Sequence, residues 1–289
     1  MELPSVLVRY RDDLDAFLRS ALDEGSPALL YHMMRYHLGW EDEDGRRLAG
    51  EAGKALRPTL CLWACQAMGG DWRTALPPAA ALELVHNFSL VHDDIQDGDR
   101  ERRHRPTVWS LWGQPQAINA GDAMFTLAHL ALHRLSERGL PLDRLAAAFH
   151  ILDRANLSLC RGQHLDLHFE SRLDVDADAY MTMIQGKTAA LLGCAGQLGA
   201  LVASPDAALA ERYRRLGEEL GLAFQIQDDV LGIWGEAEVT GKPVADDIRS
   251  RKKTLPVVYV LGRGNDPGAE RLRALYAQDA LSEADVAEA

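Results

Sequence analysis

The sequence predicts an all-α protein, a large helical bundle around a central apolar cavity. Apolar residues recur at helical spacing through most of the chain, aromatics make up only 7% of it, and no Asn-Gly or Asp-Gly pair framed by alternating residues marks a hairpin. At 289 residues and 47% hydrophobic, with no low-complexity linker, residues 1–289 read as a single domain with a substantial core. The stretch LPPAAALELVHNFSLVHDDIQD opens with Pro77 and Pro78, a helix-start signal, and spaces Ala81, Leu84, Val85, Phe88, Val91 and Ile95 close to 3.6 residues, predicting some five turns. Ala-rich segments at 119–136, 142–165 and 177–203 carry the same period. A further long helix is predicted after Ser204 as cap and Pro205 at the first helical position, ending before Gly235. LPVVYVL (255–261) is the one short β-branched run and suits a strand or a buried helix equally. Gly and Pro mark turns near 69–78, 112–115 and 235–243.

The net charge of −12 argues against a nucleic-acid partner, which needs a surplus of Lys and Arg. The first twenty residues carry charges throughout, unlike a secretory signal. The most apolar stretch, 188–203, is interrupted by Gln197 and falls short of the ~20 residues of a membrane span. These features predict a soluble, cytoplasmic protein. Cys61, Cys65, Cys160 and Cys194 form no CxxC pair and have no zinc-finger partners, so they read as buried thiols.

Chemistry concentrates in LVHDDIQDGDRERRHRPTVW, which sets four aspartates before a run of arginines. Asp93 and Asp97 stand four apart on one helix face, with Asp94 beside them, and like charges so placed repel. A solvated acidic helix end would explain an isolated pair. A second cluster, Asp228 and Asp229, lies mid-helix among Phe224, Ile226, Val230 and Leu231, and basic residues again follow it. Two such clusters fit hard divalent cations that, with Arg102, Arg103, Lys242 and Lys252, hold a diphosphate. A Walker loop at Gly186-Lys187-Thr188 is the weaker reading, because Met181 stands where the first glycine belongs and no strand precedes it.

Over residues 45–262 the chain resembles the trans-type isoprenyl diphosphate synthases, or polyprenyl synthetases. The resemblance rests on GKALRP (53–58), LELVHNFSLVHDDIQD, RERRHRPT, GQHLDL, GKTAAL and FQIQDDVLG…GKPVADDIRSRKKTLP, in the family's order and spacing. It implies the isoprenoid synthase fold, and magnesium, replaceable by manganese, as cofactor. Asp93, Asp97 and Asp228 would bind the metal directly, with Asp94, Asp229 and Asp247 supporting. Arg102, Lys187 and Lys242 would hold the diphosphate of an allylic substrate, namely dimethylallyl, geranyl or farnesyl diphosphate. Lys54, Arg57, His86 and Arg103 would hold isopentenyl diphosphate, and Lys252 would lie near the allylic diphosphate or help close the site. Gln163, Thr188 and Gln225 would turn oxygens toward the carbocation, although a buried Gln also bridges helices and Thr188 also suits ordinary helix filling.

The resemblance therefore implies condensation of isopentenyl diphosphate with an allylic diphosphate by a homodimer. Phe88, five positions before Asp93 and about 7.5 Å further down the helix, followed by small Ser89, is similar to short-chain members and points to geranylgeranyl diphosphate, with farnesyl diphosphate second. A class I terpene cyclase needs no second diphosphate site, and Lys54, Arg57 and Arg103 argue against it. A non-catalytic subunit would be expected to lose its acidic ligands, which are retained here. Two departures stand out: Gly232 replaces the last aspartate of the second motif, and the chain stops at Ala289, as if short of the family's last helices or with a reduced lid.

Overall fold

The computed structural model describes residues 5–22, 26–48, 53, 55–236, 244–264, 266–278 and 280–289. Among them the chain is helical almost throughout: α1 Ser5–Val8, α2 Arg11–Leu22, α3 Ala28–His37, α4 Leu56–Ala67, α5 Leu76–Gln96, α6 Val108–Trp112, α7 Gln114–His133, α8 Leu142–Glu170, α9 Ala177–Ile184, α10 Ala190–Ala203, α11 Ala207–Trp234, α12 Asp246–Arg249, α13 Leu255–Leu261, α14 Pro267–Tyr276 and α15 Glu283–Glu288. Among the described residues no helix is long and apolar enough to cross a membrane. The chain divides into two compact units, residues 1–153 with 191–217 and residues 154–190 with 218–289.

In the first unit α5 is the organising helix. Pro77 and Pro78 start it, every residue from Leu76 to Val85 is buried, and it packs most extensively on α7, with α4 and α2 also against it. A helix apolar on all faces in this way must lie inside its unit, so its polar residues are held among apolar neighbours. In the second unit the core joins Phe169, Val175, Tyr180, Met183, Ile184 and Val258, and a further cluster gathers Ile248, Val257, Leu261, Leu272 and Tyr276.

Several local expectations are corrected. The start of α11 is capped by Asp206, whose carboxylate accepts from the amides of Ala208 and Leu209 at 2.9 and 3.1 Å, while Ser204 Oγ accepts only from Asp206 N. The segment 177–203 is not one helix, because Gln185–Ala189 forms a π-helical turn between α9 and α10. LPVVYVL is a helix with Pro256 in its first turn. Cys61, Cys65 and Cys194 are buried, but Cys160 is exposed.

A short hairpin, β1 (Glu101–Arg102) paired with β2 (Arg105–Pro106), was not expected. Its turn residues, Arg103 and His104, have φ of 53° and 60°. Two positive φ values are what a two-residue type I′ turn requires, and side chains other than Gly, Asn or Asp adopt them at a cost of ~1–3 kcal/mol each. The strain falls on one of the arginines carrying the diphosphate expectation.

Candidate active site

The first unit assembles a basic nest around the C-terminal half of α5. His86 stands two turns before Asp93, with Glu83 three residues before it and Asn87 immediately after it. Glu83 is buried, and its Oε1 accepts from Asn87 Nδ2 at 3.1 Å. Burial pushes the Glu83 carboxyl up, while Asn87, Arg57, Arg103 and Arg11 pull it back. Arg57 Nε is buried without a hydrogen-bond partner. The guanidinium of Arg103 lies against the backbone of Gly53, 2.9 Å from where a Cβ would stand, which brings the start of α4's leading segment at Gly53 to the hairpin. Lys54 itself lies outside the described residues. The charges of Arg57, Arg103 and Arg11 thus bear on one buried carboxylate; Arg11 also pairs with Asp15 at 3.2 Å, while Arg57 and Arg103 leave positive charge that an anion would complete.

Two imidazoles sharpen this. Burial first, and then Arg102, Arg103 and Arg105, lower His37 to about 3, and burial with Arg57 and Arg103 holds His86 well below its ordinary value. Both are neutral near pH 7 and can hydrogen-bond a phosphate without a charge of their own. Between pH 6.5 and about 3 the unfolded chain protonates at position 37 while the folded chain does not, so this group withdraws stability as pH falls, by up to about 1.4 kcal/mol per pH unit. His37→Asn is therefore expected to flatten the loss of denaturation free energy between pH 6.5 and 5. A slope equal to that of the unaltered chain would place the imidazole in water.

Beside the nest, a cavity of about 230 Å³ is lined by Tyr36, His37, Asp94, Arg102, Arg103 and Arg105, among others. It is smaller than the ~300 Å³ or more of a drug-sized ligand site and suits a compact anionic head. Asp94 is 1% exposed, Asp93 half-buried and Asp97 exposed, so the acidic face grades from interior to water. Arg102 donates through Nε to Asp94 Oδ1 at 2.6 Å, and its Nη2 lies 3.5 Å from Asp93 Oδ2. The other oxygen of Asp94 is buried without a partner, and burial raises this carboxyl to about 6 against the pull of Arg102.

In the second unit, helices α8 and α9–α10 meet backbone to backbone. A Cβ at Gly162 would lie 2.6 Å from Gly186 C, and one at Gly186 would lie 2.9 Å from Gly162 Cα. That approach, at the π-helical turn, sets Lys187 Nζ 2.5 Å from Asp166 Oδ2. Thr188 Oγ1 donates to Gln225 Oε1 at 2.7 Å, and Gln225 Nε2 donates to Asp229 Oδ1 at 2.9 Å. Asp229 Oδ2 accepts from the Tyr180 hydroxyl at 2.5 Å and from Leu255 N at 2.8 Å. Asp229 thus joins α11 to α9 and to the start of α13, and its carboxyl is raised mainly by burial. Asp228 is exposed, Asp247 is buried, Gln163 is half-buried and Lys252 is exposed. Lys242 lies outside the described residues. Lys253, not Lys252, is the buried lysine of this tail, donating to Glu170 O and Arg251 O at 3.2 Å each.

Both carboxylate sets offer only hard oxygen donors. Among the described residues no three His, Cys, Asp or Glu side chains form a ready metal cage. An open carboxylate set completed by phosphate oxygens is how magnesium is commonly held, and the unpartnered oxygen of Asp94 fits that demand. Glu83, Asn87, His37 and Tyr180 were missed by sequence reasoning. Glu83 alone left a signal, as a charge inside the apolar run ALELV.

Phe88 is buried to 9% exposure, edge-on to Phe125 of α7 at 5.2 Å and to His92 at 5.8 Å. Ser89 turns its hydroxyl to His86 O at 2.7 Å. The α7 residue facing Phe88 is thus Phe125. Trp63 lies edge-on to Tyr213 and Trp112 to Tyr36, whereas Trp234 is 66% exposed.

The family model described as Polyprenyl synthetase matches residues 42–289. Over 238 residues the chain is 49% identical to a Mycobacterium tuberculosis protein named (2E,6E)-farnesyl diphosphate synthase, covering 82% of this chain and 64% of that one. It is 46% identical over 283 residues to the same species' geranylgeranyl diphosphate synthase, covering 98% of this chain and 79% of that one. The chain thus spans less than two thirds of the farnesyl relative's length. Among solved structures, a polyprenyl synthetase from Streptomyces coelicolor A3(2) superposes with a TM-score of 0.90 at 40% identity, covering 99% of this chain and 82% of that one.

Proposed function

The chain belongs to the polyprenyl synthetase family, and from that premise we propose that it is a trans-prenyltransferase joining isopentenyl diphosphate to an allylic diphosphate, with geranylgeranyl diphosphate as product. The observation that carries this reading is the arginine nest beside the α5 carboxylates, since a protein that ionises one diphosphate has no use for a second anion site. Arg57, Arg103 and His86, with Lys54, would hold isopentenyl diphosphate; Arg102, Lys187 and Lys242 would hold the allylic partner. Magnesium, bound through Asp93, Asp97 and Asp228, would supply positive charge to the diphosphate as the allylic C–O bond breaks. Arg102, already on the carboxylate face, would meet that same growing negative charge. The apolar walls around Phe88 would keep water from the cation. Thr188 and Gln225, hydrogen-bonded to each other, would offer it oxygen lone pairs. The new carbon–carbon bond forms at the isopentenyl double bond, and the proton lost passes to the departed diphosphate, so no side chain is needed as nucleophile or base.

The test is incubation with magnesium, isopentenyl diphosphate and each allylic diphosphate in turn, with mass analysis of the chains. Elongation that needs both substrates supports the proposal; a cyclised or hydrolysed product from one substrate alone refutes it. Farnesyl diphosphate is the second reading, favoured by the 49% identity to a protein of that name. Phe88→Ala, which opens the space beneath Asp93, is expected to move the main product at least one isoprene unit longer. An unchanged distribution would move the floor to another residue. A cytoplasmic homodimer is part of the same proposal. An apolar face of α7 could serve as its seam through Leu130, 55% exposed, but not through Ala131, which is buried in the chain's own core; light scattering should give twice the chain mass of 31.9 kDa.

A further inference from the structure

The hairpin that carries Arg102 and Arg103 would be marginal on its own. Each strand is two residues long, the register sets Arg102 directly opposite Arg105, and both turn residues between them sit at positive φ. An isolated two-stranded ribbon barely holds in water, and like charges across a strand pair repel. The structure draws the two arginines apart, to different helices. Arg102 turns to Asp94 of α5 at 2.6 Å. Arg105 turns to α3: its Nη1 donates to Tyr36 O at 3.1 Å and its Nη2 to Glu41 O at 2.7 Å, with the guanidinium 4.1 Å from the centre of the Tyr36 ring. The Tyr36 hydroxyl in turn donates to Pro106 O at 2.8 Å, so both residues of β2 are tied to α3.

Local sequence builds the receiving surface. α3 ends at Gly39, whose φ of 78° lets the amides of Gly39 and Trp40 bond back to Tyr36 O and Arg35 O at 2.9 Å each. That turn leaves Tyr36 O at the negative end of the helix, where a cation is favoured, and returns the chain so that Glu41 O reaches the same guanidinium. The Glu41 carboxylate is fastened to α3 by His32 Nδ1 at 2.7 Å and Arg35 Nε at 2.6 Å. The loop offering the second carbonyl is thus held by the helix that offers the first.

Arg105 lines the cavity with Arg102 and Arg103, but both of its terminal nitrogens are committed to backbone carbonyls. We propose that Arg105 is a positioning residue for the isopentenyl diphosphate site: it clamps the hairpin to α3 and so sets where Arg103, in the turn, presents its guanidinium. The inference rests on the proposed prenyltransferase reading and adds to it a residue that acts through another. Arg102 has its own anchor in Asp94, so the clamp bears mainly on Arg103.

Hydrogen exchange in the unliganded protein should quicken by at least about fivefold over residues 101–107 in Arg105→Ala and stay unchanged along α5. Calorimetric titration with isopentenyl diphosphate alone, which allows no turnover, should show Arg105→Ala binding about tenfold more weakly, the scale of one misplaced charge-assisted hydrogen bond. Affinity for geranyl diphosphate should hold. Tyr36→Phe, which removes only the bond to Pro106 O, should give a smaller loss in the same direction. The Arg103→Ala background decides between positioning and contact: there Arg105→Ala should cost less than about twofold more, because the clamp works through Arg103, whereas independent effects would multiply. Full multiplication would make Arg105 a direct contact of the anion and overturn the proposal, as would unchanged exchange at the hairpin. Exchange is read without any ligand, so it judges the clamp whatever the substrate proves to be. A parent that binds isopentenyl diphosphate but elongates no allylic partner would defeat the prenyltransferase reading and leave the clamp standing.

Discussion

Asp93→Asn is expected to lower kcat for prenyl transfer by about 10²–10³, the scale on which one group stabilising a developing charge matters, and to leave the fold no less stable than before. The second half of that expectation follows from where Asp93 sits. It occupies the last turn of α5, with Asp94 beside it and Asp97 as the residue closing the helix. The C-terminal end of a helix carries a partial negative charge, so each carboxylate there costs ~0.3–1 kcal/mol, and like charges four apart add a few tenths more. Arg102 relieves part of this, but its close contact is with Asp94, at 2.6 Å, and Asp93 is reached only at 3.5 Å. Removing the charge at 93 therefore takes away repulsion and leaves the Arg102–Asp94 pair. The melting temperature should hold or rise by up to ~3 °C. Activity falling while stability rises is the signature of a group kept for chemistry. A variant that loses activity and several degrees together would mean that Asp93 serves chiefly as a structural partner of Arg102.

The same helix shows why one part of the site was legible and another was not. α5 announces itself through a proline start and an apolar period, and its aspartates follow from counting. The Arg103–His104 turn gave no such signal, because the residues that advertise a type I′ hairpin are Gly, Asn and Asp, and here two bulky cationic residues take the left-handed conformation. Nothing local in the sequence favours that; contacts made only in the folded unit do. Glu83 reads as a single polar interruption in ALELV, and only the fold puts Arg57, Arg103 and Arg11 in its field. The Asp229 hub and the close approach of Asp247 to Gly232 likewise depend on residues 15 to 49 positions apart in sequence, a separation over which periodicity carries no information. Even so, the departure at Gly232 was visible as a gap, but not that Asp247 occupies the space a side chain there would need. The start of α11 failed for a smaller reason, since Ser204 and Asp206 are both competent caps and Asp206 accepts from two amides at once.

Arg103→Ala carries the second large expectation: KM for isopentenyl diphosphate should rise by about 10–100-fold, the worth of one or two charge-assisted hydrogen bonds, while KM for the allylic diphosphate changes less than threefold. Arg103→Lys should recover only part of the loss, because an ammonium keeps the charge but not the fork. The variant also exposes the bond between affinity and stability in this nest. Burial already raises the Glu83 carboxyl, and Arg103 is one of the groups holding it down; without Arg103 it rises further. A carboxyl raised in the folded state contributes stability below its unfolded pKa and loses it as pH climbs through the folded value. Arg103→Ala should therefore lose more stability than the parent on going from pH 5 to 8. Adding Glu83→Gln removes the stranded charge and should restore most of that stability without restoring KM, since the anion's partner is still missing. Arg103→Gly offers a separate control: it relieves the left-handed backbone at φ 53° and should melt above Arg103→Ala, with the same weakened affinity. If Arg103→Ala raised both KM values alike, the nest would serve both diphosphates together and the division of roles between Arg102 and Arg103 would have to be abandoned.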